Sequence, residues 1–306
     1  LVRLLSACLL SLMLCASNSQ AAAEAGPTTL LRFNHTPFPL VEDFSDKPFF
    51  DVRDNQRRGH TSRRGGLYWE DTTYNDQRVL VSMPRRFSGY QPAYIVVFLH
   101  GNQSTLERDL RDRQQIHTQL AASGLNAVLV APQFAVDALD SSSGRFAKPG
   151  FFNEFLQETA EKVGSWRRSP SLARELKNAK VILVAYSGGY NAAADALRVG
   201  GASSRIKGVI LLDALYGQEQ TFADFLHANH RHSFLFSTYT EPARESNELL
   251  MNLLREQGVP LKTELPRRLR PQHAIFLPLG EEVKHVDLLT QAWTEAPLAD
   301  ILRRLR

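Results

Sequence analysis

The stretch Val181-Ile182-Leu183-Val184-Ala185-Tyr186-Ser187-Gly188-Gly189-Tyr190-Asn191-Ala192-Ala193-Ala194 leaves this chain the fewest folds to choose from. A run of β-branched and aliphatic residues, a serine among small residues and an alanine-rich segment predict a buried strand, a very tight turn and a helix. Small residues let the chain reverse sharply, so the serine hydroxyl stands above the sheet at a helix N-terminus. The pattern is G-x-S-x-G with Ala185 in place of the first glycine.

The remaining sequence supplies a sheet for that turn. Residues 93–99 are continuously apolar, as expected of a strand buried on both faces, and end in His100-Gly101-Asn102. Residues 126–131 repeat the pattern and close on Pro132-Gln133-Phe134, and residues 207–212 close on Asp213. Residues 233–237 lead into Tyr239-Thr240-Glu241-Pro242, and residues 274–279 lead into a loop holding His285. Between these runs, Ser104-Thr105-Leu106-Glu107 reads as a capping box opening a charged helix that stops near Gly124. Further helices are expected at 151–163, 171–178, 218–228 and 245–257, with two short pieces after His285. Residues 67–74 and 78–83, separated by Asn75-Asp76-Gln77, predict a hairpin. Strands alternating with helices imply an α/β fold: one mostly parallel sheet of eight strands, covered on both faces. Nothing divides it, so residues 67–306 are expected to form one domain.

Upstream, residues 24–66 are rich in proline, arginine and aromatics without sustained period, and are expected to wrap the domain as an extended arm docked through Phe33, Phe38, Phe44, Phe49 and Phe50. Residues 1–23 differ from everything after them: Arg3, an apolar run over 4–14, then Ser19-Gln20-Ala21-Ala22-Ala23. That is the pattern of a secretory signal peptide, so the mature protein is expected in the periplasm or outside the cell. Both cysteines, Cys8 and Cys15, fall inside this leader, leaving the mature chain no disulfide and no thiolate nucleophile. No later apolar run is long enough for a transmembrane helix.

A serine hydroxyl needs a base beside it and a carboxylate to orient that base. Ser187 closes the central strand, Asp213 closes the next, and His285 follows the last. The strand, the A-Y-S-G-G turn and helix, the His100-Gly101 loop and the late His285 together resemble the α/β-hydrolase family over residues 67–306. The resemblance implies an α/β-hydrolase fold, Ser187 as nucleophile and His285 as general base, with an oxyanion hole from the backbone amides of Gly188 and Asn102. Preorganised donors of that kind contribute ~3 kcal/mol each in the transition state. Two carboxylates compete for the acid. Glu241 matches the position after the penultimate strand that most of the family uses; Asp213, one strand earlier, follows an apolar run that would bury it. Burial of a carboxylate calls for a specific partner, which favours Asp213, with Asp287 as a remaining option. Gln103, Gln133, Phe134, Tyr186, Tyr190 and Tyr216 are candidates to line the substrate site.

These readings point to an exported serine hydrolase that cleaves a small-molecule or polymeric carboxylic ester without a cofactor. An amidase or peptidase on cell-wall or other amides would use the same machinery, and a noncatalytic binding protein could keep the scaffold. The net charge of +4 is spread over arginine pairs with acids between them, and no basic stretch is interleaved with stacking aromatics, which argues against nucleic-acid binding. His227, His230 and His232 lack a carboxylate at ligand spacing, so no metal site is expected.

Overall fold

The computed structural model describes residues 25–40 and 47–306; the expected signal peptide with its two cysteines, and Phe44, lie outside them. The main sheet has nine strands. In chain order they begin with β1 (Thr28–Arg32), then β5 (Arg78–Ser82), β6 (Tyr94–Leu99) and β7 (Ala127–Pro132) after a small separate sheet of β2 (Val52–Asp54), β3 (Arg57–Thr61) and β4 (Leu67–Trp69). The series continues with β8 (Lys180–Tyr186), β9 (Ile206–Leu212), β10 (Phe234–Tyr239), β11 (Leu261–Lys262) and β12 (Ala274–Pro278). Their order across the sheet is β1-β5-β7-β6-β8-β9-β10-β12-β11. Only the β1–β5 and β5–β7 pairs are antiparallel.

Strand alternation sorts the core into two layers. Ile95, Val97, Leu99, Leu183, Ala185, Val209 and Leu211 face one cluster of buried side chains. Val96, Phe98, Ile182, Val184, Ile210 and Leu212 face the other. Helices α3 (Phe151–Trp166), α4 (Pro170–Lys177), α5 (Tyr190–Arg198), α6 (Glu219–Asn229) and α7 (Arg244–Glu256) cover the first face. The short helix α1 (Glu70–Thr73) sits by the small sheet, while α2 (Ile116–Ser123) and α8 (Pro297–Arg303) close the second face.

Three local expectations change. The predicted hairpin over 67–83 does not form: β4 pairs with β3 in the small sheet, whereas β5 pairs with β1 and β7. Side-chain pattern alone marked both as strands but could not choose their partners. The eight strands become nine because β4 leaves for the small sheet while two are gained: β1, from the stretch read as an irregular arm, adds an edge, and two-residue β11 closes the other. The charged helix after Gly101 is broken. Leu106–Arg113 is wound as a wide π-helical segment, and Gln115 in the left-handed region starts α2. Its N-cap is Thr105, whose side chain accepts from Arg108, and the reciprocal acid is Asp109 rather than Glu107.

The stretch before β4 docks tightly. Phe33 and Phe38 are essentially inaccessible, each contributing roughly 1.5–3 kcal/mol by burial. Phe38, Leu40, Phe50, Tyr74, Ala135 and Ala138 form a third apolar cluster beneath the small sheet. Glu158 on α3 accepts the amides of Asn34 and His35 at 2.8 and 2.7 Å, together with the His35 ring at 2.8 Å.

Candidate active site

β8 ends at Tyr186, and the chain turns through a single helical turn, Ser187–Gly189, into α5. Ser187 has φ +52°, in the left-handed region where a residue with a side chain is strained by about 1–3 kcal/mol. The surroundings enforce it. A Cβ on Gly101 would come within 2.7 Å of the Ser187 Cβ, and one on Gly189 would run into the Leu99 carbonyl, so both positions require glycine. Ala185 is completely buried in the strand between Leu99 and Leu211, where its methyl packs in the core.

His285 reaches this serine from the far end of the chain. Its Nε2 lies 2.9 Å from the Ser187 Oγ, and its Nδ1 lies 2.6 Å from the Asp213 Oδ2. Asp213 follows β9, is fully buried and also has positive φ, at +45°. Burial opposes its charge, but hydrogen bonds from His285 and Thr240 outweigh that and hold its pKa below the ordinary carboxylate value. Thr240 donates twice, its amide to Oδ1 at 2.9 Å and its hydroxyl to Oδ2 at 2.6 Å. Glu241, the competing acid, is exposed and bonds Arg244 at 2.6 Å. The histidine is thus brought together with Asp213 and not with Glu241.

Two tyrosines hold the imidazole. The Tyr186 ring stacks on it at 5.1 Å and 16°, while Tyr216 meets it edge-on at 6.5 Å. Burial, reinforced by the charge of the nearby Asp213 carboxylate, raises the Tyr216 pKa. Tyr190 lies beside Tyr216, with ring centroids 6.2 Å apart.

The Gly188 amide lies in the first turn, where a helix leaves N–H groups without partners of its own. Asn102 adjoins it closely: a Cβ on Gly188 would strike the Asn102 Oδ1 and come within 2.7 Å of the Ser141 Oγ. Ser141 donates to that same Asn102 oxygen at 3.0 Å, and Asn191 holds the Ser141 carbonyl at 3.2 Å. Gln103 is exposed, with φ +54°, and its amide donates to Ala138 at 2.8 Å. The loop over 135–143 therefore braces the loop over 101–104.

The other expected lining residues sit deeper. Gln133 is fully buried; its amide group donates to the Ser104 carbonyl and His100, and its oxygen accepts from Leu106, all inside the fold. Phe134 packs against His100 and Phe146. Burial pulls the pKa of His100 down to about 4, so the ring is neutral, and its Nε2 accepts the Phe134 amide at 2.9 Å. Sequence reasoning passed over Thr240 and Ser141. Thr240 stood one residue from a flagged carboxylate, and a hydroxyl beside an acid candidate was the available signal.

Serine, acid and histidine follow one another in the order found in α/β-hydrolases, at the carboxyl edge of a central parallel sheet with a sharp strand-to-helix elbow. The chain has the α/β-hydrolase fold. The sequence matches no protein-family profile and no curated protein. Among solved structures it is similar to the feruloyl esterase module from Clostridium thermocellum complexed with sinapinate, at 12% identity and TM-score 0.46, covering 82% of this chain and 88% of that one. It is also similar to an S-formylglutathione hydrolase from Agrobacterium tumefaciens, at 10% identity and TM-score 0.44, covering 78% and 93%. A third similarity, to Porphyromonas gingivalis dipeptidyl peptidase 4, has 11% identity and TM-score 0.39, covering 75% of this chain and 32% of that one. These likenesses are remote; the fold is read from the sheet order and the elbow.

Proposed function

We propose that this chain is a serine hydrolase acting on carboxylic esters, with Ser187 as nucleophile, His285 as general base and Asp213 as the acid that orients it. The observation that carries the reading is the unbroken hydrogen-bonded line from the Ser187 Oγ through His285 to the buried Asp213. In this reading the imidazole takes the serine proton as the hydroxyl attacks the ester carbonyl. The tetrahedral oxyanion is received by the amides of Gly188 and Asn102. The protonated ring then returns the proton to the departing alcohol, leaving an acyl-enzyme. Water, deprotonated by His285, releases the acid and restores the serine. Asp213 stays ionised throughout, holding Nδ1–H and stabilising the imidazolium.

Tyr190, Tyr216 and Gln103 border this centre and are the substrate contacts we favour. Gln133 and Phe134 are better read as its foundation, since their groups are spent within the core. We further read residues 1–23 as an export signal placing the enzyme in the periplasm or outside the cell. Among the described residues no helix is long and apolar enough to cross a membrane.

The test is labelling with a fluorophosphonate probe, alongside hydrolysis of short p-nitrophenyl esters and a matching amide panel. Stoichiometric labelling at Ser187, lost in Ser187→Ala, with esters cleaved in preference to amides, is expected. Folded wild-type protein that takes no label would sink the reading.

A further inference from the structure

The small sheet does more than cover the apolar cluster below it. Its β3–β4 turn, residues 62–66, is built on Gly65 and Gly66 with φ near +95° and closed by the Ser62 amide on the Gly66 carbonyl at 3.0 Å. The turn is tied to the loop that braces Asn102: the Ser62 hydroxyl donates to the Leu139 carbonyl at 2.6 Å, and the Leu139 amide donates to the Tyr68 hydroxyl at 3.1 Å. A turn fixed at both ends holds its backbone at a defined place.

Two adjacent arginines occupy that place. The Arg64 guanidinium lies over the Tyr216 ring at 5.7 Å, and Tyr216 in turn meets the His285 ring edge-on at 6.5 Å. Arg63 lines a cavity of about 850 Å³ together with Phe49, His60, Ser141 and Asn191. The arginines at the base of the same ribbon are matched, Arg57 by Asp71 and Arg58 by Glu70. Arg63 and Arg64, among the described residues, have no carboxylate within ion-pair distance. The acids that do line the cavity are engaged elsewhere, Asp51 with the Thr61 amide at 2.8 Å and Asp195 with Arg198 at 2.6 Å. A guanidinium fork with no carboxylate partner among the described residues, one tyrosine ring removed from His285, is suited to a planar anion.

We infer that the substrate is an ester carrying a carboxylate, which Arg64, assisted by Arg63, docks from the β3–β4 turn against the Tyr216 side of the site. The inference rests on the hydrolase reading of Ser187 and names the class of ester that site receives. The anion remains in the ester's far end and takes no part in the bond changes, so it governs binding and alignment rather than proton transfer.

The experiment compares kcat/KM on two matched pairs: mono-p-nitrophenyl glutarate against p-nitrophenyl butyrate, and m-carboxyphenyl acetate against phenyl acetate. The pairs put the carboxylate on the acyl and the alcohol side respectively. The wild type is expected to prefer the anionic member of one pair, and Arg64→Gln to lower that preference about three- to tenfold, with Arg64→Lys retaining part of it. Raising salt should erode the preference in the wild type and leave the Arg63→Gln, Arg64→Gln double variant flat. Turnover of the neutral esters with no preference for either anionic one overturns this inference and leaves the hydrolase reading standing. Failure of all four esters together with absent fluorophosphonate labelling removes both.

Discussion

Tyr186 lies flat on His285, with ring centroids 5.1 Å apart and 16° between planes, and its hydroxyl donates to the His285 backbone carbonyl at 3.1 Å. The residue just before the serine thus fixes a histidine 99 positions later, through its ring and its phenol at once. Burial raises the pKa of this phenol to about 12, so it remains a donor across the working pH range. Tyr186→Phe should lower kcat about threefold by freeing the histidine loop, and Tyr186→Leu should lower it further by removing the stacked face that steadies the imidazolium. KM for a neutral ester should change little in either. Steady-state kinetics on p-nitrophenyl butyrate check the split.

The acid can be assigned by a pair of substitutions. Asp213→Asn should reduce kcat by about 10⁴-fold, because an amide cannot hold the histidine in the tautomer that accepts the serine proton. Glu241→Gln should leave kcat within about twofold, since Glu241 is exposed and bonded to Arg244. A large loss in the second variant alone would reverse the assignment.

Thr240 donates to the same carboxylate from the next strand. Thr240→Val keeps the amide bond and the shape but removes the hydroxyl, which should cost about 1–3 kcal/mol of stability in urea or heat. Thr240→Ser should restore most of it. A valine variant with wild-type midpoint and wild-type kcat would show that Oδ2 is adequately held by His285 alone.

Ser141→Ala removes the donor that holds the Asn102 side chain. With that side chain released, the Asn102 amide should be less well aimed, and kcat should fall about tenfold with KM little changed. A change confined to KM would place Ser141 in ground-state substrate contact instead.

Acid should loosen the N-terminal segment first through Glu158. Burial pushes its pKa up, but the Asn34 and His35 amides and the His35 ring together hold it below the ordinary value of 4.5. A depressed carboxylate contributes stability that is complete above the unfolded value and is lost as pH falls through the folded one. Proteolysis near residue 34 should therefore rise as pH falls below the ordinary carboxylate value of 4.5, and Glu158→Gln should show the same sensitivity already at pH 7. Equal resistance of the variant at pH 7 would remove Glu158 from the docking account.

Much of this was legible in the chain itself because the central strands are unambiguous. Residues 93–99, 181–186 and 209–212 are apolar on both faces, and such runs fit only the middle of a covered parallel sheet. The serine, the histidine and the preferred acid could be placed because each closes or follows such a strand. Partnership was harder to read. Arg78–Ser82 shows a strand's pattern, but nothing local says that its neighbour is Thr28–Arg32 and not the adjacent Leu67–Trp69. Thr240 and Ser141 were missed for a related reason. A hydroxyl in a loop acquires meaning only from the carboxylate or amide that the fold brings to it, and both contacts cross between strands or loops distant in sequence. Gln133 went the other way: a polar side chain near the site spends its bonds on the Ser104 and Leu106 backbone and the buried His100 ring.

The two ends of the main sheet bear on how this protein behaves in a crowd. One border is a five-residue strand whose Arg32 side chain bonds Gln77, and the other is a two-residue strand ending in Lys262. A sheet of nine strands offers unpaired backbone groups only along its borders, and a short border carrying charge gives a second copy little ladder to extend. The two-residue border at Lys262 thus offers a second copy little to pair with, and deletion of residues 25–33 should expose β5, whose buried Val79, Leu80 and Val81 are a far better template for aggregation.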